Sequence, residues 1–243
     1  MIVLWIVLSI IGGILGLFIL YLLFTIVCSA FVGKKEYDKN SRFYRFLLNS
    51  WTLIAFGILR IKLDIKGMEK MPESGRFLLV SNHRSKFDPI VSWWAFRKYD
   101  LAFLSKKENF SVPFFGNIIR KCCFMAIDRE NARNALMTIK RSAELMKANE
   151  VSIGVYPEGT RSQSDEMLPF HDGVFKIAKM ADAPVAVVAL KGTDDVHKNF
   201  PKRGTRIYID VVEVIPRETV AASTSHDLSK IAREALEKGY NNI

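Results

Sequence analysis

The sequence predicts an α/β fold, with a mostly parallel central sheet flanked by helices and an N-terminal membrane-anchoring helical segment. Three observations predict it. From residue 67 onward, short apolar runs alternate with helical periodicities, and strands separated by helices lie parallel to one another. Two of these runs end in turns dense with polar and charged side chains. No charged side chain occurs between Ile2 and Gly33.

The apolar opening is rich in Leu, Ile, Val and Phe. A span needs about 20 apolar residues, so this one can cross a bilayer with tilt. It lacks the basic start of a cleaved signal peptide and outruns a signal peptide's apolar region. Lys34, Lys35, Lys39, Arg42 and Arg45 follow. The bias of basic residues toward the inner side therefore places the rest of the chain on the cytoplasmic face of the cell membrane. Residues 1–33 are read as the anchor, and 34–66 as a basic linker plus an interfacial amphipathic helix. That helix is the apolar stretch Phe43–Ile61, which Arg45, Asn49, Ser50 and Arg60 interrupt or flank. A helix lying among headgroups explains it better than a second crossing.

Residues 67–243 form the α/β domain. The expected strands are Phe77–Val80, Leu101–Leu104, Phe124–Ile127, Val151–Tyr156, Val185–Leu190 and the alternating Arg206–Val214. The expected helices are Pro89–Lys98, Ala132–Ala148, Val174–Met180 and a last one near Leu228–Lys238. In Ala132–Ala148 the residues Leu136, Ile139, Ala143 and Met146 share one stripe, with Arg133, Lys140 and Lys147 elsewhere.

Of the 243 residues, 49% are hydrophobic and 25% charged, which is enough for one packed domain once the anchor is set aside. A formal net charge of +10 favours anionic partners. These could be an acidic bilayer face, phosphorylated or CoA-like substrates, or nucleic acid. Nucleic acid is not expected, because the basic residues are spread along the chain. Cys28, Cys122 and Cys123 make no disulfide framework and read as reduced, buried thiols of a cytosolic domain. No metal site is expected, since they lack partners at ligand spacing.

Two strand ends carry the chemistry. In Ser81-Asn82-His83-Arg84-Ser85-Lys86-Phe87-Asp88-Pro89, His83 falls in the turn after a strand. Asp88 is placed as the N-cap of the next helix, with Pro89 at its first position. The loop can fold the Asp88 carboxylate onto one imidazole nitrogen, leaving the other as a general base near neutral pH. The plainer alternative is a capping Asp beside a loop His. In the second turn, Glu158-Gly159-Thr160-Arg161, Gly159 permits a tight loop and Arg161 can grip a phosphate through its planar fork. Glu158 can accept from a polyol hydroxyl. Alone this could be a surface turn; ligands of open α/β sheets, however, sit at the carboxyl ends of strands, where both motifs lie.

In these motifs the chain resembles the glycerolipid acyltransferase family. The family's first block, Asn-His-x4-Asp, is matched by Asn82, His83 and Asp88. Its second is matched by Lys106, Glu108, Pro113 and Gly116, followed by Asp128-Arg129. The third, Glu-Gly-Thr-Arg, is matched in full by Glu158 to Arg161, with Pro169, Phe170 and Gly173 after it. Asn109 stands where the family has leucine, and Val187 where the fourth block has proline. The matched blocks cover about Lys66 to Gly192.

The resemblance implies acyl transfer from acyl-CoA or acyl-carrier protein to the sn-2 hydroxyl of 1-acyl-glycerol-3-phosphate (lysophosphatidate), forming phosphatidate in the bilayer. It makes His83 the general base and Asp88 its orienting carboxylate. Lys106, Glu158, Gly159, Thr160 and Arg161 would hold the acceptor's phosphate and glycerol, supported by Asn82 and Arg129. No cofactor is implied beyond the acyl donor as co-substrate. Arg84 and Lys86 read as a basic rim. Trp93, Trp94, Phe96, Phe114 and Phe115 could line an acyl path, rest at the membrane interface or fill the core. The competing readings are an acyltransferase for another lysophospholipid or lipid hydroxyl, a membrane-tethered anion-binding module, and a thioesterase-like hydrolase.

Overall fold

The computed structural model describes residues 1–164 and 166–243. In chain order the elements are α1 (Ile2–Ala30), α2 (Arg42–Leu59), β1 (Ile61–Lys66), β2 (Leu78–Ser81), α3 (Asp88–Ala95) and β3 (Leu101–Ser105). Then come α4 (Phe115–Lys121), β4 (Met125–Ala126), α5 (Ala132–Lys147), β5 (Ser152–Val155) and α6 (Lys176–Ala181). The chain closes with β6 (Val185–Lys191), α7 (Val196–Asn199), β7 (Thr205–Ile215), α8 (Arg217–Ala222) and α9 (Ser225–Asn241).

The strands form one sheet in the order β1-β7-β6-β2-β5-β3-β4. Every neighbouring pair is parallel except β6 and β7, which run antiparallel. The fold class is as the sequence predicts. The central strands β2 and β5 are buried along their whole length, and β6 along all but its last residue. They read as continuous apolar runs because both faces are covered. β7 instead alternates, with Ile207, Ile209 and Val211 buried between more exposed neighbours.

The α/β unit begins earlier than residue 67. Residues 61–66, assigned from sequence to the linker, form β1 and pair with β7 from Ile61 opposite Thr205 to Lys66 opposite Asp210. The alternation Ile-Lys-Leu-Asp-Ile-Lys is a half-buried edge strand, and its charged residues guard that edge. The preceding apolar stretch masks it in the sequence. The helices α4, α7 and α8 have no counterpart among those expected from sequence.

α2 buries one face on the domain. Leu47, Leu48, Thr52 and Phe56 are buried on the domain, whereas Phe43, Phe46, Leu53 and Ile58 face outward. Arg45, counted from sequence as a basic flank, is 6% exposed. Its guanidinium donates to the carbonyls of Leu101 and Cys122 and to Asn40 Oδ1, at 2.6, 3.0 and 2.8 Å. It thereby ties α2 to the sheet while leaving the buried cation hydrogen-bonded.

α1 is long and apolar enough to cross a membrane, and is a candidate membrane anchor. Its 29 residues measure about 44 Å at about 1.5 Å each, more than the roughly 30 Å of hydrocarbon. The second half packs on α2. There Trp51 Nε1 donates to Thr25 Oγ1 at 3.0 Å, and the Tyr21 and Trp51 rings stack at 5.3 Å.

Candidate active site

Four neighbouring parallel strands, in the order β6, β2, β5, β3, end at the same edge of the sheet. The turns that follow them deliver Thr193, His83 with Asp88, the Glu158–Arg161 segment, and Lys106. Residues far apart in sequence converge there because parallel strands place all their carboxyl ends together.

His83 Nδ1 lies 2.8 Å from Asp88 Oδ2. The same oxygen accepts from the backbone N–H groups of Arg84 and Ser85, each at 2.7 Å. The other carboxylate oxygen accepts from the Thr193 hydroxyl. Asp88 is fully buried, so four donors hold its charge away from water. This corrects the capping assignment. Phe87 is the N-cap of α3, and Asp88 is already helical, its side chain turned back onto the preceding loop. A carboxylate acceptor at Nδ1 calls for the proton on that nitrogen, leaving Nε2 without one.

The second motif grips the first from behind. Glu158 Oε1 accepts from His83 N–H at 2.7 Å, and Oε2 accepts from Leu168 N–H at 2.9 Å. Ser162 N–H donates to the His83 carbonyl at 2.8 Å. Glu158 is 3% exposed and turned away from the cavity, so it positions the His83 backbone and does not present a carboxylate to a polyol. Burial pushes its carboxyl above the usual range, opposed by the two N–H donors. Gly159 has φ +70°, and a Cβ there would come within 2.8 Å of the His171 ring. Asn82 is likewise structural: its amide exchanges two 2.8 Å hydrogen bonds with the backbone of Leu190, stitching the end of β2 to β6.

His83, Lys106, Arg129, Thr160 and Arg161 share the wall of a cavity of about 300 Å³. Lys86, Lys106, Arg129 and Arg161 make part of its lining cationic, and Ile90, Trp93, Phe103, Phe115 and Phe124 make much of the rest apolar. Of the aromatics left open by sequence, Trp93 and Phe115 line this cavity, Phe96 is fully buried core, and Phe114 is 36% exposed. Val187 lies buried inside β6, opposite Val80 and away from the cavity wall. Among the described residues, no group of three or more His, Cys, Asp or Glu side chains is placed to hold a metal ion.

Sequence reasoning missed two residues here. Thr193 sits 105 positions beyond Asp88 with no local mark. The Tyr156 ring stacks on the imidazole of His83, with centroids 4.3 Å apart and planes 19° from parallel. Its position next to the Glu-Gly-Thr-Arg block was the available signal.

Comparison with known proteins identifies the family. Residues 62–191, more than half of the chain, match the family model described as Acyltransferase. The Bacillus subtilis (strain 168) 1-acyl-sn-glycerol-3-phosphate acyltransferase is 27% identical over 188 residues, which are 74% of this chain and 91% of that one. The chloroplastic 1-acyl-sn-glycerol-3-phosphate acyltransferase BAT2 of Brassica napus is 29% identical, over 85% of this chain and 59% of its own. The chain spans 66% of the length of a Caenorhabditis elegans relative that is 27% identical. Among solved structures, the 1-acyl-sn-glycerophosphate (LPA) acyltransferase PlsC from Thermotoga maritima superposes with a TM-score of 0.66, covering 82% of this chain and 78% of that one. At 24% identity, that likeness is one of fold. The buried carboxylate–imidazole pair, the cavity it faces and the family match lead to one conclusion: the protein belongs to the acyltransferase family of enzymes.

Proposed function

We propose that the protein transfers a fatty acyl group from acyl-CoA or acyl-carrier protein to the sn-2 hydroxyl of 1-acyl-glycerol-3-phosphate, forming phosphatidate. The observation that carries this is a His–Asp pair on the wall of a cavity lined by both apolar and cationic side chains. The names of the relatives supply the acceptor. His83 Nε2 removes the hydroxyl proton as the oxygen attacks the thioester carbonyl. The tetrahedral adduct collapses, the C–S bond breaks, and the imidazolium returns its proton to the departing thiolate. Asp88 orients the ring and stabilises the imidazolium. A thioester is already activated, so no acyl-enzyme is required, and no metal or further cofactor enters the scheme.

Lys106 and Arg161 hold the acceptor's phosphate, with Arg129 beside them and Thr160 on the glycerol. Glu158, Gly159 and Asn82 shape the two turns. The acyl chain lies against the apolar side chains of the lining. Residues 1–33 anchor the protein in the cell membrane and 34–66 lie at its surface, apart from the strand at their end. The catalytic unit is on the cytoplasmic face, within reach of a soluble donor and a bilayer acceptor.

The test is phosphatidate formation from lysophosphatidate and each donor, wild type against His83→Ala. Product from the wild type and none from a folded His83→Ala protein support the reading. Acylation only of a different lysolipid would keep the base and change the acceptor. Thioester hydrolysis without transfer, or full activity in His83→Ala, would refute it.

A further inference from the structure

A second cavity, of about 540 Å³, adjoins the first. Lys86 and Arg161 line both, so they mark the passage between them. The two cavities differ in chemistry. Much of the first is lined by apolar side chains, whereas the second is bounded by Arg84, His197 and Lys198 together with the shared Lys86 and Arg161. Asp194 is the one carboxylate among its described lining residues. It lies 3.9 Å from Arg84 and 3.3 Å from Lys198. Among the described residues, neither Lys86 nor Arg161 has an ion-pair partner.

The sheet order gives the two cavities a direction relative to the base. Lys106 and Arg129 follow β3 and β4, on one side of His83 along the carboxyl edge. His197 and Lys198 follow β6, on the other side. A reaction joining two substrates at one imidazole needs two approaches. The side bearing Lys106 and Arg129 serves the acceptor's phosphate in the reading above. The β6 side then remains for the second substrate, and its lining calls for an anion.

We infer that the second cavity binds the phosphate-bearing end of the donor's phosphopantetheine arm, whose thioester reaches His83 between Lys86 and Arg161. This rests on the acyltransferase reading. The same phosphopantetheine chemistry is carried by CoA and by a carrier protein, and the experiment separates the two.

The experiment compares intact wild type with the double variant His197→Glu/Lys198→Glu, both positions being exposed and lining the second cavity but not the first. Initial rates are measured with acyl-CoA, with acyl-carrier protein, and with an acyl thioester of N-acetylcysteamine, which has no phosphate. The expected result is a rise of about tenfold or more in KM for whichever phosphopantetheine donor the wild type uses, against a change within about twofold in KM for lysophosphatidate. Selectivity for that donor over the phosphate-free thioester falls in step, and His197→Lys/Lys198→Arg, which keeps the positive charge, retains it. In the wild type, donor KM also climbs with ionic strength. A donor KM unmoved by the charge reversal overturns the inference. So does a rise confined to lysophosphatidate, which would hand the cavity to the acceptor. A wild type that acylates nothing from any donor is a failure of the acyltransferase reading itself, and shows before any variant is compared.

Discussion

Replacing Asp88 by Asn separates the charge of the carboxylate from its geometry. In the variant, the amide oxygen can take the place of Oδ2 and keep its three donors, His83 Nδ1 and the N–H groups of Arg84 and Ser85. The amide nitrogen then faces the Thr193 hydroxyl, which can rotate to accept. Loop and tautomer survive, and only the negative charge is lost. With N and O 2.8 Å apart, the charge centres of an imidazolium and this carboxylate lie about 4 Å from each other. At an effective dielectric of about 20, that attraction is about 4 kcal/mol, a ceiling because two backbone N–H groups already share the charge. At about 1.4 kcal/mol per decade, kcat should fall by up to about a thousandfold while KM for lysophosphatidate stays near its wild-type value. The assay is acyl transfer by mass spectrometry of the lipid product, alongside thermal melts to show that the fold persists. A folded Asp88→Asn enzyme with kcat within about threefold of wild type would refute electrostatic stabilisation of His83 by Asp88.

Other substitutions probe the shell around this pair. Glu158→Gln must aim its amide nitrogen at the N–H of either His83 or Leu168, leaving a buried donor unpaired at a cost of about 1–3 kcal/mol. The denaturant midpoint should drop, and kcat with it, whereas an unchanged midpoint would put the bracing role in doubt. Gly159→Ala combines a positive φ with a Cβ 2.8 Å from His171, so it should destabilise by at least about 1–2 kcal/mol in the same titration. Burial pushes the Cys122 thiol up to about 11 and the Cys123 thiol to about 12, from 9.0. Their stabilising contribution is therefore full below pH 9 and is lost as pH rises toward 11 and 12, at up to about 1.4 kcal/mol per pH unit for each thiol. Stability curves from pH 8 to 11 should flatten in Cys122→Ala/Cys123→Ala, and an unchanged slope would contradict the burial effect.

What the sequence determined by itself was whatever chemistry is local. Five short apolar runs and one alternating run located six strands because burial selects residue type along a strand, and thirty-two uncharged residues in a row announced α1. The His-x4-Asp and Glu-Gly-Thr-Arg turns were readable because the groups that must cooperate lie within a few residues of one another. Even β1 was written in its period-two pattern, hidden only by the apolar run before it. The tertiary structure alone decided what those groups face. Glu158 carries the same carboxylate whether it meets a polyol or the His83 backbone, and only packing turned it inward. Arg45 looked like a surface cation until carbonyls from two distant segments closed around it. Thr193 reaches Asp88 across 105 residues because β6 lies beside β2, and that neighbourhood follows from how the sheet assembles. A buried polar group's partner is set by which strands end up adjacent, a long-range outcome that no short stretch of chain encodes.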